Sequence, residues 1–192
     1  MTTLLSPIES WLETDTERLG LLRILAELRL PDAWLAAGFV RNLVWDRLHG
    51  HATPTPLADL DVIYFDAADC RPERDRALEA ELMLKAPGWP WSVKNQARMH
   101  RRNDDAPYAS SLDAMRFWVE VETALAARLT ETGQVEVVSP FAQDGLFALH
   151  LTLNPRRPRP AAFRQRLTTK GWLARWPRLQ VQGLAPAVRS PG

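Results

Sequence analysis

The chain has 192 residues, of which 46% are hydrophobic and 24% charged, with a formal net charge of +1. This composition allows a buried core, and no apolar stretch approaches the about 20 residues of a membrane-spanning helix. The N-terminus lacks the pattern of a signal peptide, and the single cysteine fits a reducing compartment, so we expect a cytoplasmic protein without a membrane partner.

The predicted helices and strands alternate irregularly along the chain. Capping patterns and apolar stripes predict helices over residues 15–30, 39–48, 73–85, 111–129 and 163–176, with shorter ones from residue 6 and over 144–149. Runs of β-branched and aromatic residues predict strands over residues 33–37, 60–65, 91–97, 135–138 and 150–153, and the strand over 91–97 either continues throughout or passes into a helix. This order predicts an α/β (or α+β) fold with a mixed β-sheet flanked by helices, as one domain over residues 1–180 and a loose tail over 181–192.

Two aspartates lead one predicted strand, in ADLDVIYFD. Asp59 and Asp61 are two positions apart, so their side chains share one face. Ionised carboxylates side by side repel each other, and either a raised pKa or a divalent cation relieves the repulsion. All-oxygen ligands favour Mg²⁺ or Mn²⁺, which can hold a nucleoside triphosphate. The alternative is structural, with Asp59 capping the loop and an arginine pairing with Asp61.

A glycine turn precedes this strand by about 20 residues. In AAGFVRN, Gly38 separates a predicted strand from a helix, and a glycine there lets backbone N–H groups approach an anion. Arg41 and Asn42 lie in the first turn of that helix, where the helix dipole adds positive potential. The turn, helix, loop and acidic strand together predict a phosphate site. A tight turn with a solvent-facing arginine is the alternative.

This order of elements resembles the nucleotidyltransferase fold of the DNA polymerase β superfamily. More closely, WLAAGFVRNLVWDRLHG, DLDVIYFD and WSVKNQARMH, with PFAQDGLFALHLTLNP and KGWLARWP further on, are similar to a bacterial nucleotidyltransferase family over residues 34–176. The resemblance implies transfer of a nucleoside monophosphate from an NTP, with pyrophosphate leaving and Mg²⁺ assisting. It gives Gly38 and Phe39 the place of the phosphate-binding turn, and it makes Asp59 and Asp61 the catalytic metal ligands.

The chain departs from the superfamily pattern at two places. Phe39 stands where a second small residue or a serine is usual, which removes one side-chain contact to phosphate. A third carboxylate commonly lies on a neighbouring strand, whereas the candidate strand here offers Ser92. Asp66, Asp104 or Asp113 would replace it only if folding brings one of them close.

Hydrogen-bond donors are dense in KNQARMH, downstream of the acidic strand. Lys94 and Arg98 share a face whether the segment is a strand or a helical turn, and Asn95 lies beside Lys94. We expect these three residues to bind the triphosphate or an acceptor phosphate. A charged surface held by salt bridges is the alternative.

The C-terminal quarter of the chain is basic. No Asp or Glu follows Asp144, while nine Lys or Arg residues do. Such a segment suits a polyanion, so RNA is a candidate acceptor. Arg156, Arg157 and Arg159 lie among prolines in a predicted loop, where we expect them to be free to bind phosphate.

Three functional hypotheses follow from these patterns. The first is a Mg²⁺-dependent nucleotidyltransferase with an NTP substrate and an unidentified acceptor. The second is a catalytically impaired nucleotide-binding module on the same fold, motivated by the missing third carboxylate. The third is a protein-interaction domain in which the two aspartates only form salt bridges.

Overall fold

The structure, a computed structural model, describes residues 5–184. Its helices are α1 (Ser6–Thr14), α2 (Thr16–Glu27), α3 (Gly38–His49), α4 (Pro72–Lys85), α5 (Gln96–Asn103), α6 (Ser111–Met115), α7 (Asp144–Phe147), α8 (Pro160–Lys170) and α9 (Trp172–Arg175). Its strands are β1 (Trp34–Ala36), β2 (Leu60–Tyr64), β3 (Trp91–Asn95), β4 (Ala126–Leu129), β5 (Val135–Val138), β6 (His150–Thr152) and β7 (Gln180–Gln182).

Five strands form the central sheet, in the order β3-β2-β1-β4-β5. β2 and β3 are parallel, whereas β1 pairs antiparallel with β2 and β4, and β4 pairs antiparallel with β5. A separate parallel pair is formed by β6 and β7. The mixed sheet flanked by helices confirms the fold class that the sequence predicts.

The alternation of side chains along β2 separates the core from the acidic pair. Leu60, Val62 and Tyr64 are fully buried and belong to the main core, on one face of the sheet. Asp61 projects from the opposite face, which carries a smaller apolar cluster around Met115. The acidic residues therefore lead a core strand without entering the main core.

One predicted helix is wrong. The sequence pattern predicts a helix over residues 111–129, but α6 ends at Met115, and Ala126–Leu129 form β4, between β1 and β5. The connecting segment contains Val119 and Val121, whose branched side chains disfavour a helix. Pairing of β4 with strands on both sides outweighs the helical apolar pattern, because it satisfies the backbone of a central strand.

Two other predicted segments change conformation part-way. The predicted helix over residues 163–176 is divided into α8 and α9 at Gly171, whose φ of 64° no regular helix accommodates. For residues 91–97, the alternative of a strand that passes into a helix is confirmed: β3 ends at Asn95, whose side chain accepts a hydrogen bond from the backbone N–H of Ala97 and so caps α5.

The predicted tail falls largely outside the described residues, since the structure says nothing of residues 185–192. Its first two residues, Val181 and Gln182, belong to β7 and pair with β6. Within residues 5–184, no helix is both long and apolar enough to span a lipid bilayer.

Candidate active site

The turn between β1 and α3 holds an unusual backbone conformation. Ala37 has φ 55° and ψ −118°, a backbone conformation that residues other than glycine rarely adopt. The positive φ therefore falls on Ala37, and not on the neighbouring Gly38. Ala37 is also the N-cap of α3 and has no capping side chain, so the first N–H groups of the helix remain available to a ligand.

Gly38 keeps the approach to these N–H groups open. A Cβ at this position would stand 3.5 Å from Nη2 of Arg41 and 3.6 Å from the Asn42 amide atoms, in ordinary contact with both. A side chain at residue 38 would therefore fit against its neighbours but would occupy space in front of the helix N-terminus. Gly38 is therefore important because it lacks a side chain, and not because of its backbone conformation, which has no positive φ.

Arg41 is held rigidly beside the turn. Its guanidinium packs against the rings of both Trp45 and Trp172, at 4.8 and 4.9 Å from their centroids. It donates hydrogen bonds of 2.8 Å to Thr123 Oγ1 and to Asn42 Oδ1. Burial lowers the pKa of Arg41 to about 10, which leaves the side chain charged at neutral pH. Arg41 is thus a buried, fixed cation and not the solvent-facing arginine of the alternative interpretation.

The acid pair lies across from this cation at the start of β2. Asp59 is half-exposed, and its Oδ2 accepts a hydrogen bond from Lys170 Nζ at 3.1 Å. Burial, and then the charge of Asp59, raise the pKa of Asp61 to about 6, although Lys170 and Arg41 act in the opposite direction. Burial and the neighbouring carboxylate thus both disfavour the ionised form of Asp61, and a cation held by the two carboxylates would stabilise that form.

These groups open into one cavity of about 550 Å³. The glycine turn, the first turn of α3, the acid pair and the end of α8 all contribute to its wall. Its charged and polar lining residues are Arg41, Asn42, Asp59, Asp61, Thr123, Arg166, Thr169, Lys170 and Arg175. The structure thus places Gly38, Arg41, Asn42, Asp59 and Asp61 together, although they come from two separate parts of the chain.

A second groove, of about 360 Å³, adjoins the first. Ala37, Asp61, Thr123 and Arg166 line both, so the two spaces meet at Asp61. Further along, the second groove is lined by Lys94, Gln96, Met99, Arg102, Trp118 and Glu120. A molecule lying there would meet a molecule in the first cavity at Asp61.

Glu120 is the acid that this second groove adds. It is fully buried, and its Oε1 accepts a hydrogen bond from Arg166 Nε at 2.6 Å. Its Oε2 has no partner among the described residues. A buried carboxylate oxygen without a partner is costly, so this atom is suited to accept a proton or a hydrogen bond from a ligand.

The four other predicted phosphate-binding residues occupy different places. The side chain of Phe39 is fully buried in the main core, so only its backbone is near the turn. Lys94 lines the second groove, where its Nζ lies 2.9 Å from Glu79 Oε1. Asn95 is fully buried, and its amide donates hydrogen bonds to two loop carbonyls.

Arg98 is committed to a buried ion pair. It contacts the carboxylate of Asp75, which is 3% exposed and also accepts a hydrogen bond from the hydroxyl of Tyr64 at 2.8 Å. Neither Asn95 nor Arg98 lines the cavity of the acid pair. For Lys94 and Arg98, the alternative of charged residues held by salt bridges matches their observed contacts.

No predicted acid completes the pair. Asp66 pairs with Arg74, and Asp113 lies at the start of α6, where its carboxylate accepts from the backbone of Ala109. Asp104 is the C-cap of α5, outside both cavities. Across residues 5–184, no three His, Cys, Asp or Glu side chains are grouped as a metal site, so the pair offers two carboxylates only.

The basic C-terminal quarter is used differently from the prediction. Arg157 pairs with Asp105, and both Arg157 and Arg159 donate to the carbonyl of Asn103, so these loop arginines are not free. The guanidinium of Arg156 lies 5.6 Å from the centroid of the Phe117 ring. Instead, α8 and α9 deliver their cations to the cavity, where Arg166, Lys170 and Arg175 form part of its wall.

Sequence reasoning missed Glu120, Arg166 and Lys170 as site residues. The wrong helix over residues 111–129 hid Glu120, although its position in the alternating run VEVET is a signal of extended backbone. Arg166 and Lys170 are four residues apart on α8 and so share a face, but only the fold shows which face meets the acid pair.

Comparison with known proteins places this geometry in context. Residues 23–181 match a protein-family model described as nucleotidyltransferase. An NMR structure described as revealing a CCA-adding enzyme head domain is 31% identical, with a TM-score of 0.82, and the match covers 93% of this chain and 96% of that one. No curated protein matches the chain.

More distant structures share the fold. A CCA-adding enzyme in complex with CTP is 15% identical with a TM-score of 0.57, over 93% of this chain and 43% of that one. A tRNA-processing enzyme is 14% identical with a TM-score of 0.52, over 85% and 43%. At these identities the likeness concerns the fold alone, and the chain spans less than half the length of these two enzymes.

Proposed function

Because the chain belongs to the nucleotidyltransferase family, we propose that it transfers a nucleoside monophosphate from an NTP to a hydroxyl at the end of an RNA. Family membership and the CCA-adding head-domain likeness support an NTP-using transferase at a general level. One observation carries the finer proposal: the Gly38 turn and the Asp59–Asp61 pair open into a single cavity with fixed cations.

The first cavity is suited to the triphosphate. The free N–H groups at the start of α3 point to an anion site, and Arg41 adds a cation that is already desolvated and oriented. Arg166 and Arg175 line the same space. Fixed donors of this kind stabilise charge that develops on phosphate oxygens without first having to reorganise.

The acid pair fits a divalent cation. Asp59 and Asp61 supply oxygen ligands, which Mg²⁺ and Mn²⁺ prefer, and a bound cation would lower the pKa of Asp61, which burial and then the charge of Asp59 raise. With two carboxylates, several coordination positions remain for phosphate oxygens and water. A cation bound there would polarise the phosphates and neutralise charge on the leaving pyrophosphate.

The transfer itself is an in-line displacement. The acceptor hydroxyl oxygen forms a bond to the α-phosphorus, and the bond from that phosphorus to the bridging oxygen of pyrophosphate breaks. The acceptor lies in the second groove, which meets the first at Asp61 and carries Arg102 for its phosphates. We assign the hydroxyl proton to the carboxylate of Glu120, which lines that groove and whose Oε2 has no hydrogen-bond partner among the described residues.

The test uses labelled NTPs with Mg²⁺ or Mn²⁺ and RNA transcripts that end before or after a 3′-terminal CCA. We expect label on RNA from the wild type and a loss of more than about 100-fold in Asp59→Asn plus Asp61→Asn. A matched control, Asp66→Asn plus Asp69→Asn, removes two carboxylates beyond the other end of β2 and should keep the activity. Equal labelling by the wild type and the first double variant would refute the proposal.

A second candidate function is supported by one observation. Only two carboxylates form the metal pair within the described residues, which favours a nucleotide-binding module without turnover. Calorimetry with a non-hydrolysable NTP distinguishes the two: the module binds nucleotide, yet it labels no acceptor in cell extract with any of the four NTPs.

A further inference from the structure

Lys170 forms an ion pair with Asp59, one of the two aspartates of the acid pair. It is the last residue of α8, and its Nζ lies 3.1 Å from Oδ2 of Asp59, which is 111 residues away in the chain. The side chains are 36% and 44% exposed, so the ion pair is open to solvent and to incoming ions. Ion pairs of this exposure are weak and exchange easily.

Lys170 and a divalent cation need the same carboxylate. The cation requires the oxygens of Asp59 as ligands, while Lys170 places a positive charge and a hydrogen bond on one of them. A cation held by Asp59 would stand beside this ammonium, and the two positive charges would repel each other. Lys170 therefore lowers the affinity of the acid pair for a metal that arrives alone.

A triphosphate gives Lys170 another partner. The space around its ammonium is lined by Arg41, Arg166 and Arg175, which draw phosphate oxygens into the cavity. A lysine has a flexible stem and three donors, so its ammonium can turn from a carboxylate to a phosphate by rotation of its own side chain.

The geometry points to Lys170 as a positioning residue that couples metal binding to triphosphate binding. It neutralises Asp59 before the substrate arrives, and it moves to the phosphates when the metal takes its place. This inference rests on the proposed function. Because the coupling is reciprocal, the nucleotide should tighten metal binding by the same factor by which the metal tightens nucleotide binding.

The test measures Mn²⁺ affinity by electron paramagnetic resonance, with and without a non-hydrolysable NTP, and needs no catalysis. The variant Lys170→Met removes the charge and keeps the length, while Lys170→Arg keeps the charge. Lys85→Met is the matched control, because Lys85 also ends a helix, is 33% exposed and lies 2.8 Å from its carboxylate partner, Glu27. Circular dichroism confirms that each variant folds.

We expect Lys170→Met to bind Mn²⁺ alone about two- to fivefold more tightly than the wild type, the range that an exposed ion pair accounts for. The factor by which nucleotide tightens Mn²⁺ binding should fall correspondingly. Lys170→Arg and Lys85→Met should behave like the wild type, since the first keeps the competing charge and the second lies elsewhere.

Two other results have separate meanings. If Lys170→Met matches the wild type in Mn²⁺ affinity and in coupling, while Asp59→Asn plus Asp61→Asn loses the metal, the inference about Lys170 is overturned and the proposed function stands. If the wild type binds no Mn²⁺ with or without nucleotide, or if the double aspartate variant binds it equally well, both the metal site and the inference that depends on it are refuted.

Discussion

Replacement of Asp61 by asparagine should stabilise the protein at neutral pH. Burial and the adjacent Asp59 raise the pKa of Asp61 from 3.8 to about 6, so the folded protein holds this carboxylate ionised only at a cost. Its raised pKa means that the folded state binds the proton more tightly than the unfolded state does. The stabilisation that the folded state gains by binding this proton is therefore fully present below pH 3.8 and is lost as the pH rises through about 6.

The size of the effect follows from the pKa values. A difference between 3.8 and about 6, at 1.36 kcal/mol for each pKa unit, corresponds to about 3 kcal/mol above pH 6. Asp61→Asn cannot ionise, so it recovers up to this amount. For a domain of this size, about 3 kcal/mol raises the Tm by about 6–12 °C.

The assay is thermal unfolding of the wild type and Asp61→Asn between pH 4 and pH 8, in the presence of a chelator. We expect the Tm of the variant to exceed that of the wild type at pH 8 and to converge with it at pH 4. Asp66→Asn is a control of opposite sign, because the hydrogen bond from Arg74 lowers the pKa of Asp66 and its removal should destabilise at pH 8. A Tm difference for Asp61→Asn that is the same at both pH values would refute the reasoning.

Two further predictions separate structure from function. Arg98→Ala should lower the free energy of unfolding by about 3 kcal/mol in urea titrations, because it leaves Asp75 buried without its cation, and nucleotide affinity should be unchanged. The control is Arg76→Ala, which removes the exposed ion pair between Arg76 and Glu73 and should cost under about 0.5 kcal/mol. Ala37→Gly should stabilise by about 1 kcal/mol, since glycine relieves a strain of about 1–3 kcal/mol but makes the unfolded chain more flexible; a loss of stability in urea would contradict the strained conformation.

The sequence predicts the part of the site that local patterns build. A strand, a tight turn and a helix place Gly38, Arg41 and Asn42 within five residues, and alternation along a strand puts Asp59 and Asp61 on one face. These relations depend on backbone geometry over a few residues. The structure brings the two segments together through the antiparallel pairing of β1 with β2, in which Ala36 lies opposite Asp61.

The roles of Lys94 and Arg98 could not be predicted, because their partners lie on another element. Lys94 and Arg98 share a face of their segment, as the pattern indicates, but α4 packs against β3 and presents Glu79 and Asp75 to them. A charged run reveals its donors, whereas the carboxylates that they meet are fixed by helix packing. The neighbouring motifs favour phosphate binding by Lys94 and Arg98, whereas in the structure both side chains form ion pairs with carboxylates of α4.

The absence of acids after Asp144 has its explanation in three dimensions. Arg166 pairs with Glu120 and Lys170 pairs with Asp59, so the cations of the C-terminal quarter compensate carboxylates that lie 46 and 111 residues earlier. Charges that are separated along the sequence are thus paired in space, and the basic C-terminal quarter meets the earlier carboxylates at the cavity. An acid introduced into α8 would compete with Glu120 for Arg166. Because Glu120 is fully buried, the loss of its cation would cost more than an exposed acid would gain from the new ion pair. The cations of α8 therefore serve the charge balance of the site, before any polyanion is considered.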